Sequence, residues 1–128
     1  MSDIRIIILL ALLCIPSLAA VADDARQPGW GEVSPIFARY CTSCHSSHGA
    51  ALGLRLDSYE GALAGSVKGP VLLPGNAAKS ELVRRLRGES VPRMPFLGYP
   101  LQQEQIDLIA RWVEGGLAES GAQTQSRY

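Results

Sequence analysis

The stretch Cys41-Thr42-Ser43-Cys44-His45 decides how this chain is read. Two thiols separated by two residues can each form a thioether with one of the two vinyl groups of a haem. The histidine that follows is then held beneath the iron as its proximal ligand. The stretch therefore predicts one covalently bound haem c, with Cys41 and Cys44 as thioether residues and His45 as an axial ligand. A Cys-x-x-Cys pair also occurs in structural zinc sites and in thioredoxin-like redox motifs. Past residue 22, a zinc site has only Cys41, Cys44, His45 and His48 to draw on. All four lie within eight residues, too tight for the usual two separated ligand pairs. A thioredoxin-like motif needs a βαβ setting, and no Val/Ile-rich strand precedes Cys41.

The third cysteine belongs to the N-terminus. Ile4 to Ile15 is almost continuously apolar, Pro16-Ser17 ends the run, and Ala20-Val21-Ala22 presents small residues before the polar Asp23-Asp24. Residues 1–22 read as a secretory signal, cleaved near Ala22 with loss of Cys14. Left uncleaved, Ile4 to Ala22 approaches the ~20 residues of a bilayer span and would anchor the chain to a membrane; Pro16 and Ser17 argue against that. Export to the periplasm agrees with the haem motif, and with only Cys41 and Cys44 remaining no disulfide is predicted. The rest divides into a polar leader (23–29), one small domain (30–118) and a flexible C-terminal tail (119–128). The 12 basic and 12 acidic residues balance, and cleavage removes one of each. Nothing in this charge implies nucleic acid or a strongly charged surface.

The helices follow from pattern and punctuation. Ser34-Pro35 reads as a helix start, Ser34 as N-cap and Pro35 at the first helical position, for a short helix running to Tyr40 and into the motif. Phe37, four residues before Cys41, shares its helical face. A glycine-rich stretch from Ser46 to Gly75 suits loops, with a short helix within Ser58 to Ala64. Ala77 to Arg87 reads as one helix with an apolar stripe of Leu82, Val83 and Leu86, ended by Gly88. Val91 to Pro100, with three prolines, reads as an ordered loop. The last helix runs from about Gln102 to Glu114. It buries Ile106, Ile109, Ala110 and Val113, is flanked by Trp112, and ends at Gly115-Gly116. No strand pattern competes, so the fold class is all-α.

Met94 is the one methionine after the initiator, and it stands 49 residues beyond His45 in the run Arg93-Met94-Pro95. Its soft thioether suits haem iron, and His/Met ligation raises the potential into the range of electron carriers. The competing role is gap-filling, the usual work of methionine, for which a polar, proline-rich loop is an odd place. His48 follows His45 too closely to reach the opposite face of the iron, and Lys68 and Lys79 are remoter candidates. Lys79, Arg84, Arg85, Arg87 and Arg93 form the one regional charge bias. They read first as a solvated face with Glu81 and Glu89 interspersed, and second as a docking or propionate-balancing cluster.

These residues resemble class I cytochromes c, more narrowly the small monohaem cytochrome c domain of the planctomycete type. The resemblance covers roughly residues 30–118. It rests on Pro35 to His45, Gly53 to Ser58, Leu73 to Ser80, Arg93-Met94-Pro95 and the closing helix from Gln105 to Gly116. It implies about four short helices wrapped around one covalent haem, with the terminal helices crossing at Phe37 and Trp112. It also implies His45 and Met94 as iron ligands, and electron transfer as the role. Val33 departs from the glycine common at that crossing, and Gln102 from the usual Ser/Thr/Asp cap. The expected protein is a carrier rather than an enzyme. It would exchange electrons with redox partner proteins and use no small-molecule substrate. The alternatives are the haem subunit of a periplasmic dehydrogenase and an open-site haem protein binding peroxide or diatomic gases. The His45 ring N–H is expected to meet a backbone carbonyl at Pro70 or Pro74.

Overall fold

A computed structural model of the chain describes residues 26–121. The expected signal segment 1–22, the first residues of the leader and residues 122–128 of the tail lie outside them. The described residues carry four α-helices, α1 (Trp30–Tyr40), α2 (Tyr59–Ala64), α3 (Glu81–Arg87) and α4 (Gln103–Glu114). Two single 3₁₀ turns, Ala51–Gly53 and Ala77–Lys79, lie between them. This helix-rich architecture fits the expected all-α class. One small addition is a two-stranded antiparallel ribbon, β1 (His45–Ser46) with β2 (Gly49–Ala50), pairing His45 with Ala50 and Ser46 with Gly49. Two residues a strand leave no alternation to read in the sequence. No described helix is long and apolar enough to cross a membrane.

The first helix starts well before the expected Ser34-Pro35 boundary, at Trp30, and Pro35 lies inside it. An interior proline removes one helical hydrogen bond and costs about 3 kcal/mol. The offset is visible in the packing. The Trp30 ring lies 5.6 Å from Phe37, 5.7 Å from Trp112 and 6.0 Å from Tyr59, and Phe37 meets Trp112 edge-on at 6.2 Å. Val33, one turn on, is fully buried. Each aromatic pair adds about 0.5–1.5 kcal/mol and burial of a valine about 1.5–3 kcal/mol, together enough to carry the helix through the proline. The Glu32 carboxylate accepts the Gly29 N–H at 2.9 Å, which caps the new start.

Trp112, expected on the flank of the last helix, is fully buried at the α1–α4 crossing, and its indole N–H donates to the Ala118 carbonyl at 2.8 Å. The chain after α4 folds back on α1. The Trp30 N–H reaches the Ala118 and Glu119 carbonyls, and the Tyr59 hydroxyl donates to the Leu117 carbonyl at 2.8 Å. Gly29 is needed here, because a Cβ would run into the Gly121 backbone. The missing cap residue at Gln102 is made good by Gln105, whose side-chain oxygen accepts the Gln102 N–H at 3.1 Å.

The expected Ala77–Arg87 helix is divided by Ser80, a fully buried hydroxyl. Its Oγ donates to the Asn76 carbonyl at 2.9 Å and accepts the Leu73 N–H at 2.8 Å, drawing the chain out of the helical path. Removing this buried hydroxyl leaves the half-buried Leu73 N–H without its partner, so Ser80→Ala is expected to lower unfolding free energy by about 1–3 kcal/mol. Denaturant titration of the matured protein measures it.

A second polar clasp closes the turn after β1. The Ser47 N–H donates to Asp57 Oδ2 at 2.8 Å, and Arg55 Nε to Oδ1 at 3.3 Å. These bonds, the Ser47 amide first, hold the Asp57 carboxyl below its usual range. A carboxyl depressed by folding stabilises above the unfolded value of about 3.9 and loses that contribution as pH falls through the folded value. Asp57→Asn is therefore expected to unfold more easily than the parent near neutral pH. The difference should shrink as pH drops below about 4, as midpoints measured across that range would read.

Candidate haem site

Helix α1 delivers the motif. Phe37, buried in the aromatic cluster, gives its carbonyl to the Cys41 N–H at 2.8 Å. The chain then turns on itself, the Cys44 and His45 amides donating to the Cys41 carbonyl at 3.1 and 2.9 Å. The His45 carbonyl accepts the Leu56 N–H at 2.8 Å, and the Cys44 carbonyl accepts the Ala51 N–H at 3.0 Å. Backbone bonds thus hold the motif from both sides, independently of its side chains.

The motif opens onto a cavity of about 890 Å³, within the roughly 300–1,000 Å³ of cofactor and ligand sites. Cys41, Cys44, His45 and Met94 all line it. Four segments build its wall: the end of α1 with the motif, the chain from Ala51 to Leu56, the loop from Ser66 to Val71, and α3 with the proline-rich loop after it. Leu54, Leu56, Val71, Leu82 and Leu86 supply an apolar lining, while Phe96 and Tyr99 stand at it exposed.

Several observations test whether these residues fit haem c. Cys41 and Cys44 are free thiols sharing the cavity. Burial, and after it the neighbouring Cys44, push the Cys41 thiol up to about 12, so it is neutral at physiological pH. Among the described residues no group of three His, Cys, Asp or Glu side chains is disposed to hold a metal ion. His45 Nδ1 is buried without a hydrogen-bond partner. An imidazole in an apolar cavity beside two free thiols is a donor set that fits the macrocycle and its iron.

The expected carbonyl partner of His45 at Pro70 or Pro74 is not in place. Pro70 lines the cavity, but its loop is tied elsewhere, by bonds between Ser66 and Gly69 and from the Leu82 N–H to the Val71 carbonyl. His48 is exposed and lines a separate groove with Trp30, Pro35 and Asp57, away from the cavity. Lys68 borders the cavity and Lys79 does not.

Met94 is half-buried against the core at the cavity. Its N–H donates to the Arg85 carbonyl at 3.1 Å, so the loop carrying it is sewn to the end of α3. The peptide bonds entering Pro92 and Pro95 are both cis. The sequence reading left one part of the site unrecognised: Glu81 and Arg85, taken for a solvated face, line the cavity and bond to each other at 2.8 Å. Their i, i+4 spacing was the available signal.

Residues 41–95 match the family model described as Planctomycete cytochrome C. The matched stretch begins at the first thiol of the motif and ends just past Met94, leaving α1 and α4 outside it. No curated protein and no solved structure matches the chain. The stretch from Cys41 to Pro95 is thus similar to a planctomycete-type cytochrome c domain, a family that implies covalently bound haem c and, in general, electron transfer.

Proposed function

We propose that this protein is an exported electron carrier, not an enzyme, whose haem c iron is held between His45 and Met94. The observation that carries the reading is the convergence of Cys41, Cys44, His45 and Met94 on one apolar cavity. When bound, haem c supplies a one-electron iron couple.

The chain's own groups have separable tasks. Cys41 and Cys44 would hold haem c covalently, each thiol adding across one vinyl group with its S–H hydrogen passing to the vinyl carbon. His45, pinned through its backbone bonds to Cys41 and Leu56, would offer a ring nitrogen to the iron. Met94 offers a soft sulfur, which favours the reduced state and raises the potential. Leu54, Leu56, Val71, Leu82 and Leu86 keep water from the iron, and their apolar surroundings further set the potential. Ligation by both His45 and Met94 would leave the iron no open position for a substrate. The exposed Phe96 and Tyr99 at the cavity suit brief contact with redox partner proteins, which use small interfaces.

Optical spectra of the protein matured with a c-type haem attachment system test this. The expected result is a c-type reduced spectrum, together with the weak near-infrared-edge band of methionine-ligated ferric haem. Met94→Ala should abolish that band, lower the reduction potential and admit carbon monoxide to the ferrous iron. Cys41→Ala and Cys44→Ala should each leave a single thioether, visible by mass spectrometry. Ready carbon monoxide binding by the unaltered protein would instead indicate an open-site haem, and absence of covalent haem would defeat the reading.

A further inference from the structure

The loop that carries Met94 is held less by apolar packing than by a polar clasp. Val91 and Leu97 on either side are 82% and 92% exposed, and Met94 itself is only partly buried. What fastens the loop comes from α3. Glu81 Oε1 accepts the Ser90 hydroxyl at 2.7 Å and Arg85 Nε at 2.8 Å. Arg85 Nη1 donates onward to the Pro92 carbonyl at 3.2 Å, and the Arg85 carbonyl accepts the Met94 N–H. One carboxylate thus fixes the loop at Ser90 directly and at Pro92 through Arg85. The Ser90 hydroxyl, with Arg85 and Arg84 behind it, holds the Glu81 carboxyl below its usual range, so it is ionised near neutral pH. Arg93 packs beside Gly88, whose left-handed conformation at φ 76° ends α3 and starts the return.

We propose that Glu81 is a positioning residue for Met94, acting through Ser90 and Arg85 to keep the methionine sulfur at the iron against displacement by external ligands. The proposal rests on Met94 being the second axial ligand. A methionine on a loosely packed loop competes with any small ligand that can reach the metal. The clasp lowers the free energy of the closed loop relative to the open one, and an external ligand must overcome that difference.

The test is imidazole titration of the ferric, haem-loaded protein, following loss of the near-infrared-edge band. Glu81→Gln keeps the side-chain shape but removes the charge, so it can no longer hold both donors strongly. Imidazole affinity should rise about tenfold, as expected for loss of one charge-assisted hydrogen bond. Ser90→Ala, a milder change, should raise it less, and the double variant should show less than the product of the two effects because both break one bond. Arg84→Gln serves as the control. Arg84 touches the same carboxylate at 3.5 Å without its side chain reaching the loop, and its affinity should equal the parent's. Parent-like affinity in both Glu81→Gln and Ser90→Ala, or an equal rise in Arg84→Gln, overturns the proposal. If the parent lacks the band, or Met94→Ala retains it, the reading of Met94 fails first and takes this one with it.

Discussion

The crossing of α1 over α4, made by Trp30, Phe37 and Trp112, is the contact on which the rest of the structure depends. Phe37 and Trp112 are fully buried, and the same Phe37 whose ring fills the crossing gives its carbonyl to the amide of Cys41. The position of the attachment motif is therefore set by core packing one helical turn away. Bonds from the Cys41 carbonyl then shape the turn, and the bond from the Leu56 amide holds His45 within it. Such an arrangement holds the motif still, because the packed core yields little.

The two sides of the proposed iron site are built differently. The His45 side is tied by backbone bonds to Phe37, through Cys41, and to Leu56, both in the buried core. The Met94 side hangs from α3 by hydrogen bonds of a single acidic residue and an arginine. Interactions of that kind, partly open to water, are individually weak. On the proposed ligation, this division would let retention of Met94 at the iron and overall stability be adjusted separately by substitution.

Much of this was legible in the sequence, and the exceptions have physical causes. Cys41-Thr42-Ser43-Cys44-His45 and Met94 could be read directly because their chemistry is carried by residue type. Leu82, Val83, Leu86 and the α4 stripe were readable from helical period. The start of α1 was misread because Pro35 after Ser34 is a strong local signal, overridden by the burial of Trp30 against partners distant in sequence. Ser80 was hidden inside a helical pattern, since its effect arises from two backbone partners that only the folded chain brings near. Glu81 and Arg85 looked like surface charges because their second role, reaching Ser90 and Pro92, depends on how the proline-rich loop returns.

Iron K-edge X-ray absorption of the ferric, haem-loaded protein tests the central claim most directly. Ligation by His45 and Met94 gives one sulfur donor beside nitrogen donors at the iron, lost in Met94→Ala with the attachment to Cys41 and Cys44 intact. An iron surrounded by nitrogen or oxygen donors alone in the unaltered protein would contradict it.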